Sequence, residues 1–365
     1  MSPLETLLRE MIAENGPMSL ETYMALALNH PAYGYYVSKM PIGRSGDFIT
    51  APEISQMFGE LTGLWSAAVW RAMGEPQPLR LIELGPGRGT LMADALRAAQ
   101  IVPDFLSALV IHLVESNKIL QACQHRALKD TGLAISWHAA VGELPDGQAI
   151  MVANEFFDCL PIRQFVRTET GWHERLVGLN DERRLSFGLA PNPVADMNMQ
   201  GEPGQVFEAG LAASRVMAQV AARLCRQGGA LLVIDYGFDA PQFGATLQAV
   251  RSHRIASPLD DPGEADLTAH VDFCALTKTA RAAGAAVHGP VPQGVWLTRL
   301  GIYERAAKLR EKASESQKAA IDSALRRLAG EEDGSSAETM GRLFKVLAVT
   351  APGLSIPPGF ETEPG

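Results

Sequence analysis

The loop Glu83-Leu84-Gly85-Pro86-Gly87-Arg88-Gly89 stands directly after the apolar run Leu79-Arg80-Leu81-Ile82 and before the helix-like Thr90-Leu91-Met92-Ala93-Asp94-Ala95-Leu96-Arg97. Glycines at alternate positions let a backbone turn tightly from strand to helix and press against a ligand where a Cβ would intrude. The helix that follows aims its first amides at the same place. A dinucleotide loop would carry its third small residue at Thr90, but here the third glycine comes one place earlier. Pyrophosphate would be repelled by Glu83, whereas the ammonium and sulfonium of S-adenosylmethionine would be attracted. The loop therefore points to S-adenosylmethionine as cofactor, held by Glu83, Gly85, Gly87 and Gly89.

The 365 residues suffice for a large core, in one elaborated α/β domain or two. With 47% hydrophobic and 20% charged residues the composition is that of a globular chain. A net charge of −9 speaks against a broad nucleic-acid surface and suits a small or cationic substrate. Cys123, Cys159, Cys225 and Cys274 lie far apart without metal-ligand spacing, so no metal is expected and a reducing, cytoplasmic compartment is. No apolar run reaches spanning length, and the N-terminus lacks a signal-peptide pattern, so no membrane insertion is expected.

Apolar residues at helical spacing (Leu4, Leu7, Leu8, Met11, Ile12, then Tyr23, Met24, Leu28) predict a helical cap. Thr50-Ala51-Pro52-Glu53 has the capping-box pattern and predicts one helix running on through Ile54, Met57, Phe58, Leu61 and Leu64. Strands are expected at 79–84, 108–114, 149–153, 230–234, near 285–291 and at 345–349, alternating with helices as in a doubly wound parallel sheet. The rhythm breaks at about 165–207, read as a β-rich insertion, and 301–329 reads as helical. The expected division is a cap with a signature loop over 1–75, an α/β core over 76–355 containing the insertion, and a flexible tail over 356–365.

In an open α/β sheet, ligands bind beyond the carboxyl ends of the strands at the switch in strand order. Glu115 ends the second strand, where an acid can accept both ribose hydroxyls of an adenosine. After the strand 149–153, Asn154-Glu155-Phe156-Phe157-Asp158 brings two carboxylates and two aromatics to the same rim. Methyl transfer needs a positioned nucleophile and a dry site, and a guanidinium acceptor would need carboxylates that pair with its planar fork. Glu155 and Asp158 are the candidates for that pair. Asp235 either orients substrate or begins a turn, and His270 has the imidazole pKa that suits proton handling.

Several segments together resemble one family: Gly46 to Ser55, Glu83 to Gly89, Asn154 to Pro161, Asp235-Tyr236-Gly237, Ala265 to Phe273 and Gly341 to Leu347. They are similar to the MidA-type S-adenosylmethionine-dependent methyltransferases, over nearly the whole chain. The resemblance implies a class I methyltransferase, Rossmann-like seven-stranded sheet. It further implies symmetric dimethylation of arginine in a protein substrate, a quinone-proximal core subunit of respiratory complex I, with mitochondrial relatives in eukaryotes. It places Asp47, Thr50 and Asn154 near the cofactor, the 154–158 segment at the acidic loop of arginine methyltransferases, and Thr268-Ala269-His270 at their histidine loop, with Val271 where an aromatic is usual. Two alternatives stay open: a small-molecule methyltransferase, and an assembly factor that binds the cofactor without catalysis.

Overall fold

The computed structural model describes residues 2–38, 50–251, 253–330 and 339–361. Asp47, and with it the turn-rich 43–48 segment, lies outside them. Contacts gather the chain into two units, one of Met1–Phe48, Asp158–Arg215 and Ala240–Asp272, the other of Ile49–Phe157, Val216–Asp239 and Phe273–Gly365.

The second unit is built on seven strands: β1 (Leu79–Leu84), β2 (Leu109–Val114), β3 (Ile135–His138), β4 (Ala149–Asn154), β5 (Gly229–Phe238), β6 (Ala286–Pro292) and β7 (Phe344–Thr350). Their order is β3-β2-β1-β4-β5-β7-β6. The pairs from β3 to β5 are all parallel, and β7 runs antiparallel to both β5 and β6. Runs such as Leu79, Leu81, Ile82 and Leu84 are apolar on both faces, which suits strands covered on both sides. The order reverses between β1 and β4, where Leu84 pairs with Ala153. The loops after these two strands therefore leave the sheet side by side at its topological switch point.

Helix Gln56–Ala72 packs tightly on Thr90–Ala99, the helix behind the glycine loop. Two glycines permit it: a Cβ on Gly59 would stand 2.6 Å from the Asp94 Cβ, and one on Gly63 would stand 2.5 Å from the Ala95 carbonyl oxygen. Glu60, buried on the same helix, takes Arg305 through both carboxylate oxygens at 2.7 and 3.0 Å and Arg97 at 3.0 Å. These arginine bonds hold its carboxyl below the ordinary value against the opposing effect of burial.

The first unit is antiparallel. Strands Arg163–Thr168, Gly171–Leu179, Leu185–Leu189 and Val206–Ala209 join the two-residue strand Met18–Ser19, and a smaller sheet is formed by Gln248–Arg251, Arg254–Ala256 and Asp266–Thr268. Helices Pro3–Asn15 and Leu20–Asn29 are capped by Ser2 and Ser19, whose hydroxyls accept from the Glu5 and Thr22 amides. Leu4, Leu8, Tyr23, Met24 and Leu28 share a core with Ile162, Val177, Ala249 and Leu267. The N-terminal helices up to residue 29 thus gather with the β-rich segment, whereas the helices over 51–72 gather with the parallel sheet.

Two expectations need correction. The helix foreseen from Thr50 is two, Ala51–Ile54 and Gln56–Ala72, because Ser55 is extended and its hydroxyl accepts from the Met57 amide. Thr50 makes no side-chain cap; the carboxylate of Glu53 instead takes the Thr90 hydroxyl and the Arg88 guanidinium. The 301–329 stretch is helical as expected, in two pieces, Ile302–Arg310 and Glu315–Ala329, the second opened by a capping box between Ser314 and Gln317. The flexible tail expected over 356–365 is packed as far as it is described: Phe360 is 7% exposed, and the Trp65 indole donates to the Pro358 carbonyl at 3.1 Å. Strand β3, with only four residues and none of them buried, carries too weak an apolar pattern to be read from sequence.

Candidate active site at the sheet switch point

Glu83 lies one residue before the end of β1 and is 3% exposed. Its Oε2 has no hydrogen-bond partner among the described residues. Burial pushes its carboxyl up to about 8, and a bond from the Met92 amide acts the other way. A buried carboxyl in this condition is built to meet a cation.

Behind it the three glycines all adopt left-handed backbone, with φ of 65° at Gly85, 51° at Gly87 and 83° at Gly89. Space is also short: a Cβ on Gly85 would stand 3.0 Å from the Phe156 ring, and one on Gly89 would stand 3.2 Å from the Gln124 Cα. Gly89 is the cap of helix Thr90–Ala99 and has no side chain to place on its amides, and of the first-turn amides that of Met92 is taken by the Glu83 carboxyl.

Glu115 follows β2. One of its oxygens accepts from the Asn117 amide at 2.8 Å and the other from Gln124 Nε2 at 3.3 Å. Burial nonetheless raises its carboxyl to about 7.

At the end of β4, Asn154 is 8% exposed; its Nδ2 donates to Glu155 Oε1 at 3.2 Å, and its Oδ1 has no partner among the described residues. Glu155 has a φ of 50°, unusual for a residue with a side chain and a form of strain that concentrates at functional sites. The same Oε1 accepts from the Ala51 amide at 3.1 Å, beside the buried Thr50. The next two amides, of Phe156 and Phe157, donate to Asp235 Oδ2 at 3.2 and 3.0 Å, and Asp235 itself is 0% exposed at the adjoining strand β5. Asp235 thus anchors the loop, a choice between roles that its sequence context left open. The two phenyl rings stand edge to face at 5.4 Å, with Phe156 lying against Gly85.

Within this unit the structure brings together Glu83, Gly85, Gly87, Gly89, Glu115, Thr50, Asn154 and Glu155. Asp158 and His270 belong to the other unit. There the Asp158 carbonyl accepts from the Ala269 amide at 2.9 Å, and the His270 amide donates to the Thr246 hydroxyl at 2.9 Å. Tyr36 donates to Asp266 at 2.7 Å in the same unit. Burial first, then the nearby Asp266, Cys159 and Asp158, raises its phenol well above the ordinary value. Sequence reasoning passed over Tyr36, Asp266 and Gln124. The signal for Gln124 was the Asn117 cap, which sets positions 121 and 124 on one helix face.

Among the described residues no group of three or more His, Cys, Asp or Glu side chains is placed to hold a metal, and no helix is long and apolar enough to cross a membrane. The donor set fits S-adenosylmethionine: a buried carboxyl with one oxygen unpartnered among the described residues for its cationic end, a carboxyl at the end of β2 for its ribose, and a glycine turn between them.

Comparison with known proteins agrees. Residues 61–291 match the family described as "Putative S-adenosyl-L-methionine-dependent methyltransferase". The chain is 38% identical over 324 residues to the zebrafish (Danio rerio) mitochondrial protein arginine methyltransferase NDUFAF7, covering 82% of this chain and 76% of that one. It is 35% identical to the human (Homo sapiens) NDUFAF7, covering 86% of this chain and 77% of that one. A crystal structure of a COG1565 superfamily member and likely methyl transferase from Burkholderia thailandensis, bound to S-adenosylhomocysteine, superposes with a TM-score of 0.82. Its identity is 28%, and the match covers 98% of this chain and 92% of that one. With its strand order, its glycine loop and these relatives in agreement, the chain belongs to this family of S-adenosylmethionine-dependent methyltransferases.

Proposed function

We propose that the chain methylates arginine in a protein substrate, using S-adenosylmethionine. The observation that carries this reading is Glu155: a carboxylate at the switch point, beside the glycine loop, on a left-handed backbone that Asp235 anchors from the next strand. Two similar proteins bear the name protein arginine methyltransferase.

When bound, the cofactor supplies an electrophilic methyl group on a positive sulfur. Glu83 serves its cationic end and Glu115 its ribose, while Gly85, Gly87 and Gly89 let the backbone approach, and Thr50 and Asn154 line its surroundings. Glu155 binds the acceptor guanidinium, a planar cation that a carboxylate engages through two parallel bonds. Such pairing draws positive charge toward the bonded nitrogens and orients the reacting one for in-line displacement. The N–C bond forms as the S–C bond breaks, and the nitrogen's surplus proton leaves to Glu155 or to solvent. Phe156 and Phe157 keep water from the reacting atoms. For Asp158 and His270 we propose contacts with the acceptor.

The acceptor protein, in this reading, is a quinone-proximal core subunit of respiratory complex I, modified to symmetric dimethylarginine during assembly, in the cytoplasm of a bacterial host. The test is to incubate the protein with isotopically labelled cofactor and lysate from a strain lacking it, then identify the labelled residue by mass spectrometry. Label on a single arginine of one protein is the expected result; label confined to lysine, nucleotide or metabolite overturns the proposal. Glu155→Gln should lower transfer at least a hundredfold with cofactor affinity kept, and Asp158→Asn and His270→Ala are measured alongside. Transfer at the normal rate by Glu155→Gln removes Glu155 from its role.

A further inference from the structure

We infer that Gln124 is a positioning residue for cofactor recognition, setting the carboxylate of Glu115 for the adenosine ribose; this rests on the assignment of Glu115 to that ribose. Gln124 is 0% exposed in helix Lys118–Leu128. A buried primary amide is stable only if its donors and its acceptor are used, and here each is committed to a different segment. Its Nε2 donates to the Gly87 carbonyl at 2.8 Å and to Glu115 Oε2 at 3.3 Å. Its Oε1 accepts from the Trp137 indole on β3 at 2.8 Å. One side chain thereby ties the glycine loop, the acid after β2 and the neighbouring strand to one another.

The helix is shaped for this task. Asn117 caps it through the Ile119 and Leu120 amides, and the Asn117 amide itself donates to Glu115 Oε1 at 2.8 Å. Gln121, one turn before Gln124 on the same face, donates to the Glu115 backbone carbonyl at 2.6 Å. Glu115 is thus held by its main chain and by both carboxylate oxygens, and the oxygens keep lone pairs to accept ribose hydroxyls. Gly89 is part of the arrangement, since a Cβ there would stand 3.2 Å from the Gln124 Cα. The Trp137 bond fixes which end of the amide is oxygen, so the nitrogen must face Gly87 and Glu115. A glutamate at this position could still accept from Trp137 but would turn an anion toward Glu115.

The experiment compares binding of S-adenosylhomocysteine and its 2′-deoxy analogue by calorimetry, in the full-length protein and in Glu115→Gln, Gln124→Met and Gln124→Glu. The unaltered protein should prefer the ribose form by about tenfold or more, the worth of a hydrogen bond to a charged group. Glu115→Gln should bring the preference close to one. Both Gln124 variants should cut it at least threefold although neither removes an atom of Glu115. Trp137 emission should shift in Gln124→Met, where its acceptor is lost, and hold in Gln124→Glu, where it is kept. Should one Gln124 variant fail to fold by its melting curve, the other decides alone. A folded Gln124 variant with undiminished ribose preference, when Glu115→Gln has lost it, overturns the positioning role. Equal binding of the two ligands by the unaltered protein, or unchanged preference in Glu115→Gln, overturns the ribose assignment instead.

Discussion

Among single residues Glu83 bears the heaviest electrostatic demand. Its carboxyl is raised from 4.5 to about 8 by burial, so without ligand it is harder to ionise in the folded chain than in the unfolded one. The sign follows: this contribution to stability is full below about 4.5 and is lost as the pH climbs through about 8. Glu115, raised to about 7 by burial, acts in the same direction. The ligand-free melting temperature should therefore fall between roughly pH 5 and 8, and Glu83→Gln should flatten that slope. A slope unchanged in the variant would show that Glu83 ionises freely. A cation arriving beside Glu83 favours its charged form, so cofactor binding near pH 7 should release protons. Calorimetry in two buffers of different ionisation enthalpy counts them, and Glu83→Gln should reduce the count. At Gly87, φ of 51° forbids a β-branched side chain without strain, and Gly87→Val should abolish cofactor binding while the fold persists by circular dichroism.

At the scale of elements, the loop after β4 owes its shape to β5. Phe156 and Phe157 both donate to Oδ2 of the fully buried Asp235. Removing that acceptor takes this bond from both amides and loosens the hold on the left-handed backbone of Glu155. Asp235→Ala should accordingly lower the methyl-transfer rate at least tenfold and reduce cofactor affinity less, since the glycine loop feels Asp235 only through Phe156, whose ring lies against Gly85. Equal losses in both quantities would mean that Asp235 supports the whole sheet edge. The close pair of helices behind the glycine loop is equally exacting. A Cβ on Gly59 would lie 2.6 Å from the Asp94 Cβ, so Gly59→Val should cost about 1–3 kcal/mol in denaturant unfolding by overpacking. A loss under 0.5 kcal/mol would show that the pair can separate without penalty.

For the molecule as a whole, the net charge of −9 acts on encounter more than on fold. A cationic substrate segment should associate more slowly as salt rises from roughly 20 to 200 mM, since the screening length shortens over that range. Association that is independent of salt would argue for an uncharged acceptor surface.

Much of this architecture could be read from the chain. A strand, an acid, three alternating glycines and a helix in succession are a local instruction, because the left-handed turn at Gly85, Gly87 and Gly89 is imposed by backbone sterics within a few residues. Apolar runs buried on both faces announce parallel strands in the same local way. What escaped was whatever depends on distant partners. Nothing near Ser55 says that the chain turns extended there, and nothing near Glu53 says that its carboxylate is taken by Thr90 rather than by a cap. By itself the sequence determined the fold class and the left-handed glycine turn after the first strand, since each follows from residues adjoining one another. Only tertiary structure decided that Asp235 anchors the Glu155 loop and that Gln124 ties Gly87, Glu115 and Trp137 together, because these bonds exist only once separate strands lie in register.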